Sequence, residues 1–198
     1  MELKQLASII QGNIPTRIEV SEGVSIETIT MQELNYIANV SDDLPVEKHI
    51  VVQGDKLNTY SLTQNKDVVV GLSSGKAIVI DNKRANRLIL SNLAIIRIKD
   101  TNLLDPYYLC WLINNNKAEI RKMQQGTTAV SIIPLSKLKS FDVTLVPIEI
   151  QRTIGKIDEL KRQRDRITHS IEAKKADVLA QQLMIIYEKE SKDGKKRV

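Results

Sequence analysis

The stretch that most constrains this chain begins after Pro147. From Ile148 to about Glu190 there is no proline and a single glycine, Gly155. One heptad frame places Ile150, Ile157, Arg164, Ile171, Val178 and Ile185 at its a positions, with Thr153, Leu160, Ile167, Lys174 and Gln181 at d. Ile154 and Leu179 widen the stripe. A helix over this stretch would run about 60 Å at 1.5 Å per residue. It is too long to lie on the 147 residues before it. Its apolar stripe therefore has to pack on another long helix. Arg164, Lys174 and Gln181 interrupt the seam, as residues that fix register and orientation do at a cost in stability. The candidate pairing surface is Ile150, Ile157, Leu160, Ile167, Ile171, Val178 and Ile185.

The residues before Pro147 read differently. Runs rich in β-branched residues, 48–53, 67–72, 77–80 and 93–98, predict strands. Gln53-Gly54-Asp55, Ser73-Ser74-Gly75 and Asp81-Asn82-Lys83 supply turns between them. Asp105-Pro106 opens a helix predicted over Tyr107 to Met123, with Asp105 as its cap. Gly126-Thr127-Thr128 ends it, and a last strand is expected over Phe141 to Val146. Strands that do not alternate regularly with helices give an α+β class. The expected layout is a small mixed β-sheet and helix domain over 1–147, one long coiled-coil helix over 148–190, and a disordered basic tail over 191–198.

Hydrophobic residues make up 42% but aromatics only 4%, so the core has to be aliphatic. A single cysteine, Cys110, excludes an internal disulfide and a four-cysteine zinc site. His49 and His169 have no neighbours at metal-ligand spacing. Neither an apolar leader nor a run near the ~20 residues of a membrane span is present. A soluble, cytoplasmic protein in a reducing setting is expected.

The net charge of +5 hides a polarity along the chain. Residues 1–75 carry 5 Lys/Arg against 10 Asp/Glu, while residues 76–139 carry 11 against 4. A cationic middle segment suits a polyanion, if its charges share a face.

Catalytic motifs are sparse. Asp105-Pro106-Tyr107-Tyr108 superficially resembles the Asp-Pro-Pro-Tyr motif of amino-methyltransferases, but the second proline is missing. No glycine-rich loop follows a strand to hold a methyl donor. Asp81 and Lys83 faintly echo a nuclease, although a turn with two solvated charges is commoner. Cys110 sits among apolar residues and reads as packing. What remains is donor chemistry. Ser74 and Lys76, Arg84 and Arg87, and Lys122 and Thr128 sit in three donor-rich clusters. Such groups can meet base edges or phosphates.

Several motifs together carry a family resemblance: Leu104 to Leu109, then Gln124-Gln125-Gly126-Thr127-Thr128, Ile132-Ile133-Pro134-Leu135 with Leu138, Val143 to Val146, and Pro147-Ile148-Glu149-Ile150-Gln151. In this order they resemble the target recognition domain and conserved helix of type I restriction-modification specificity subunits. The family's usual glycine before the Asp67-Val68-Val69-Val70 strand is Lys66 here. The resemblance implies a half-length form with one recognition domain and one helix, which catalyses nothing itself. It would homodimerise through the helix and read an inverted repeat with a gap in double-stranded DNA. It would also dock methyltransferase and restriction subunits. S-adenosylmethionine, ATP and Mg would then be used only in those partner subunits. Two alternatives stand beside this: a half subunit pairing with a different half subunit, and a coiled-coil scaffold whose globular part binds protein.

Overall fold

The structure is a computed structural model that describes residues 1–41, 43–124 and 132–195, with side chains through 188. It forms two compact units, Met1–Leu160 and Lys161–Val198. In chain order the helices and strands are α1 (Leu3–Leu6), β1 (Ala7–Gln11), α2 (Pro15–Ile18), β2 (Glu19–Ile29), α3 (Met31–Ile37), β3 (Lys48–Val52) and β4 (Val68–Gly71). There follow β5 (Ala77–Val79), β6 (Leu88–Ile89), β7 (Leu93–Ile98), α4 (Pro106–Asn115), α5 (Lys117–Gln124), α6 (Leu135–Lys139) and α7 (Ile148–Lys195). The class is α+β with a long C-terminal helix, as the sequence implies.

The centre of the first unit is an antiparallel sheet in the order β1-β7-β4-β5. Val69 stands opposite Ile95 on one side and Ile78 on the other. Alternate side chains of a strand point to opposite faces. Val68, Val70, Ala94 and Ile96 thus pack with Tyr108, Leu109 and Phe141, while Val69, Ile78 and Ile95 pack with Ile29 and Leu34. Both faces are covered, so β4 reads as an unbroken apolar run. A second sheet runs β3-β2-β6. There β2 is exposed along most of its length and carries a bulge between Glu19 and Val24.

Two sequence expectations need correcting. The helix expected over Tyr107 to Met123 is two helices, broken at Asn116. The Asn116 backbone leaves the helical region (φ −83°, ψ 64°), and its side chain accepts from the Glu119 amide to start α5. The strand expected over Phe141 to Val146 does not form; among the described residues a lone Glu2–Asp142 bridge marks it. Phe141 and Val143 are fully buried, and Leu3 donates to the Phe141 carbonyl. The segment is held by the core instead of by a ladder. Asp105 does cap α4, accepting from the amides of Tyr107 and Tyr108. Cys110 is buried, with Sγ 3.2 Å from the Ala77 carbonyl oxygen.

The start of α7 belongs to the first unit. Gln151 is 1% exposed. Its Oε1 accepts from the Asp105 amide at 3.0 Å, and its Nε2 donates to the carbonyls of Leu103 (3.1 Å) and Val146 (2.7 Å). One turn on, a Cβ at Gly155 would lie 2.7 Å from both Tyr107 Cβ and the Tyr108 amide nitrogen. Glycine is what allows α7 to approach α4 so closely. Burial, aided by Glu159, holds the Tyr107 phenol above its ordinary pKa. On α7 within this unit, Ile150, Ile157 and Leu160 remain exposed, whereas Ile154 packs against the core.

The second unit is the remainder of α7. Its Ile167, Ile171, Val178 and Ile185 are all exposed, as are Leu179, Leu183, Ile186 and Tyr187. The helix continues past 190 to Lys195, and 196–198 lie outside the described residues. No helix among the described residues is long and apolar enough to cross a membrane.

Candidate nucleic-acid interface

Four connections meet at one end of the β1-β7-β4-β5 sheet. The turn after β4 is closed by Gly75, whose φ of 64° suits a residue without Cβ. The Leu72 amide donates to the Asn92 carbonyl at 3.0 Å, and the Ile133 amide donates to the Leu72 carbonyl at 2.8 Å. The Gln124 side chain at the end of α5 donates to the Ser73 carbonyl. From β1, Gln11 donates to the Ser91 carbonyl, and the Asn13 side chain accepts from the Ser61 amide at 2.7 Å.

These connections border a cleft of about 800 Å³. Its apolar walls include Ile14, Ile18, Leu72, Ile133 and Leu135, and its polar rim carries Gln11, Asn13, Arg17, Ser73, Ser91 and Asn92. Among the described residues no carboxylate lines it.

The residues singled out in the sequence fall into different places. Ser74 Oγ accepts from the Lys76 amide within the turn beside the cleft. Lys76 is half-buried, its Nζ 3.5 Å from the Asn114 carbonyl oxygen. Lys122 is well exposed on α5 and makes a 3.5 Å contact to Glu119. Arg84 and Arg87 are engaged elsewhere. Arg84 donates to Glu33 and Asp81, and Arg87 pairs with Glu27 and Glu33. Thr128, with the rest of 125–131, lies outside the described residues.

The polarity of charge along the chain is therefore partly spent inside the fold. Glu27, Glu33 and Asp67 of the acidic front segment hold Arg87, Arg84 and Arg97 of the basic middle. Asp67 is 2% exposed, and its hydrogen bond holds the Arg97 guanidinium above its usual pKa. Arg17, Lys117, Arg121, Lys137 and Lys139 are exposed and have no carboxylate partner among the described residues. Four of these five lie on α5 and α6.

Sequence reading found the Ser73–Lys76 turn and missed Gln11, Asn13, Arg17, Ser91 and Asn92. Only folding brings those residues together. No local pattern marks them.

The family model for the type I restriction modification DNA specificity domain matches residues 1–177. The chain belongs to this family. Solved structures agree on the fold. The HsdS subunit from Thermoanaerobacter tengcongensis superposes with a TM-score of 0.57 at 19% identity, over 85% of this chain and 38% of that one. The type I S subunit from M. genitalium gives 0.53 at 15%, over 83% and 38%. A chain from a structure of type I R-M complex assembly and conformational transition gives 0.61 at 13%, over 88% and 44%. The chain thus spans less than half the length of each of these structures. No curated protein matches it. Lys66, where the resemblance leads one to expect glycine, holds φ at 69°, in the left-handed region that favours glycine.

Proposed function

We propose that this chain is the DNA-recognition component of a type I restriction-modification complex and is itself non-catalytic. The family match over residues 1–177 carries the reading. The cleft, which no described carboxylate lines, and Lys117, Arg121, Lys137 and Lys139, which have no carboxylate partner among the described residues, support it, because phosphate neutralisation supplies much of a protein's affinity for DNA. In this reading the Met1–Leu160 unit contacts duplex DNA, and α7 pairs with α7 of a second copy through Ile150, Ile157, Leu160, Ile167, Ile171, Val178 and Ile185. Two identical readers related by a two-fold axis would bind an inverted repeat with a gap. The paired helices would also dock the methyltransferase and restriction subunits, where S-adenosylmethionine, ATP and Mg would be used. Light scattering on a sizing column tests the pairing. A molar mass of twice 22.4 kDa is expected. A mass of 22.4 kDa at high micromolar concentration, with the helix intact by circular dichroism, overturns the homodimer and points to a different partner half.

A further inference from the structure

We infer that the cleft at the end of the β1-β7-β4-β5 sheet is the base-reading site of this domain, with Asn92 and Gln11 reading base edges and Arg17 holding phosphate. The inference rests on the DNA-recognition reading and goes beyond it by naming residues. It has three supports.

The chain carries 24 Asp/Glu, yet among the described residues none lines the cleft. A site built for a cation or a basic peptide would carry carboxylates. Arg17, at the cleft, is exposed and has no partner among the described residues. It is an exposed cation available to an anion, unlike Arg84 and Arg87, which are held by carboxylates.

The amide groups are set for adenine. Asn92 is exposed, and its structural role uses only its backbone carbonyl, which accepts from Leu72. Its side-chain oxygen and nitrogen have no partner among the described residues and are free for an adenine N6/N7 edge. Gln11 spends one donor on the Ser91 carbonyl at 3.3 Å and keeps its oxygen.

The apolar walls have a matching use. Ile14 (41% exposed) and Ile132 (46% exposed) stand open at the cleft. Exposed isoleucine beside amide donors suits the thymine methyl group that neighbours adenine N6 in the major groove.

The test selects bound duplexes from a randomised pool with the full chain, then repeats the selection with Asn92→Ala and Arg17→Ala. Circular dichroism checks that both variants remain folded. Asn92→Ala should erase preference at one or two adjacent positions, losing about 5- to 150-fold discrimination there. Arg17→Ala should weaken every sequence alike and flatten the slope of log affinity against log salt by about 0.9. A wild-type selection that Asn92→Ala leaves unchanged overturns the cleft assignment while DNA recognition stands. A wild-type chain that selects no sequence overturns both.

Discussion

At the scale of single residues, some side chains are spent on the fold, and others stand exposed and are assigned to DNA in the proposed reading. Gln151 is the clearest of the first kind, because one buried amide satisfies a helix cap and two loop carbonyls. Replacing it with alanine should lower stability by about 1–3 kcal/mol for the groups left unpaired. A chemical denaturation midpoint reads that loss. Lys66 makes the opposite case. Its left-handed backbone is strained for a residue with Cβ, so Lys66→Gly should stabilise the domain by about 0.5–1 kcal/mol after glycine's own entropy is counted. An unchanged or lower melting temperature would refute that. Lys122 belongs to the second kind. Lys122→Ala should leave stability unaltered and reduce the salt slope of DNA affinity by about 1, whereas Arg87→Ala should act first on the denaturation midpoint, since it uncovers the buried Glu33 carboxylate.

At the scale of elements, the sequence was most legible where one element explains its own residues. The runs that predict β3, β4, β5 and β7 are dense in Val and Ile because each strand buries at least one face. The exposed β2 reads Glu-Val-Ser-Glu-Gly-Val-Ser and buries almost nothing until Thr28 and Ile29, so no alternation marks it. Asn116 falls inside the helix expected over Tyr107 to Met123, but it closes one helix and opens another. Phe141 and Val143 look like strand residues because both are buried, yet what they meet is core and not a neighbouring strand. The cleft was legible only in the Ser73–Lys76 turn, since its other groups come from three separate connections. The close packing of α4 and α7 belongs at this scale too. Gly155→Ala gains up to about 1 kcal/mol in helix propensity but puts a methyl 2.7 Å from backbone. Overpacking at about 1–3 kcal/mol should win, and thermal unfolding should show a net loss.

At the scale of the whole molecule, the exposed isoleucines of α7 set the expectation. An apolar face left open along the helix asks for a partner. Ile167→Glu combined with Ile171→Glu lies outside the Met1–Leu160 unit and should turn a dimer into a monomer by light scattering. Recognition of a single half-site by the first unit should survive, while the preference for paired half-sites should vanish. Loss of both together would mean that the helix serves recognition itself.

The rim of the cleft bears finally on how such a protein changes over evolutionary time. Asn92, Arg17 and Ser73 contribute little or nothing through their side chains to the core beneath them. In the proposed reading, a mutation at any of these positions would change the DNA word recognised and leave folding nearly untouched. The scaffold can stay constant while its vocabulary drifts.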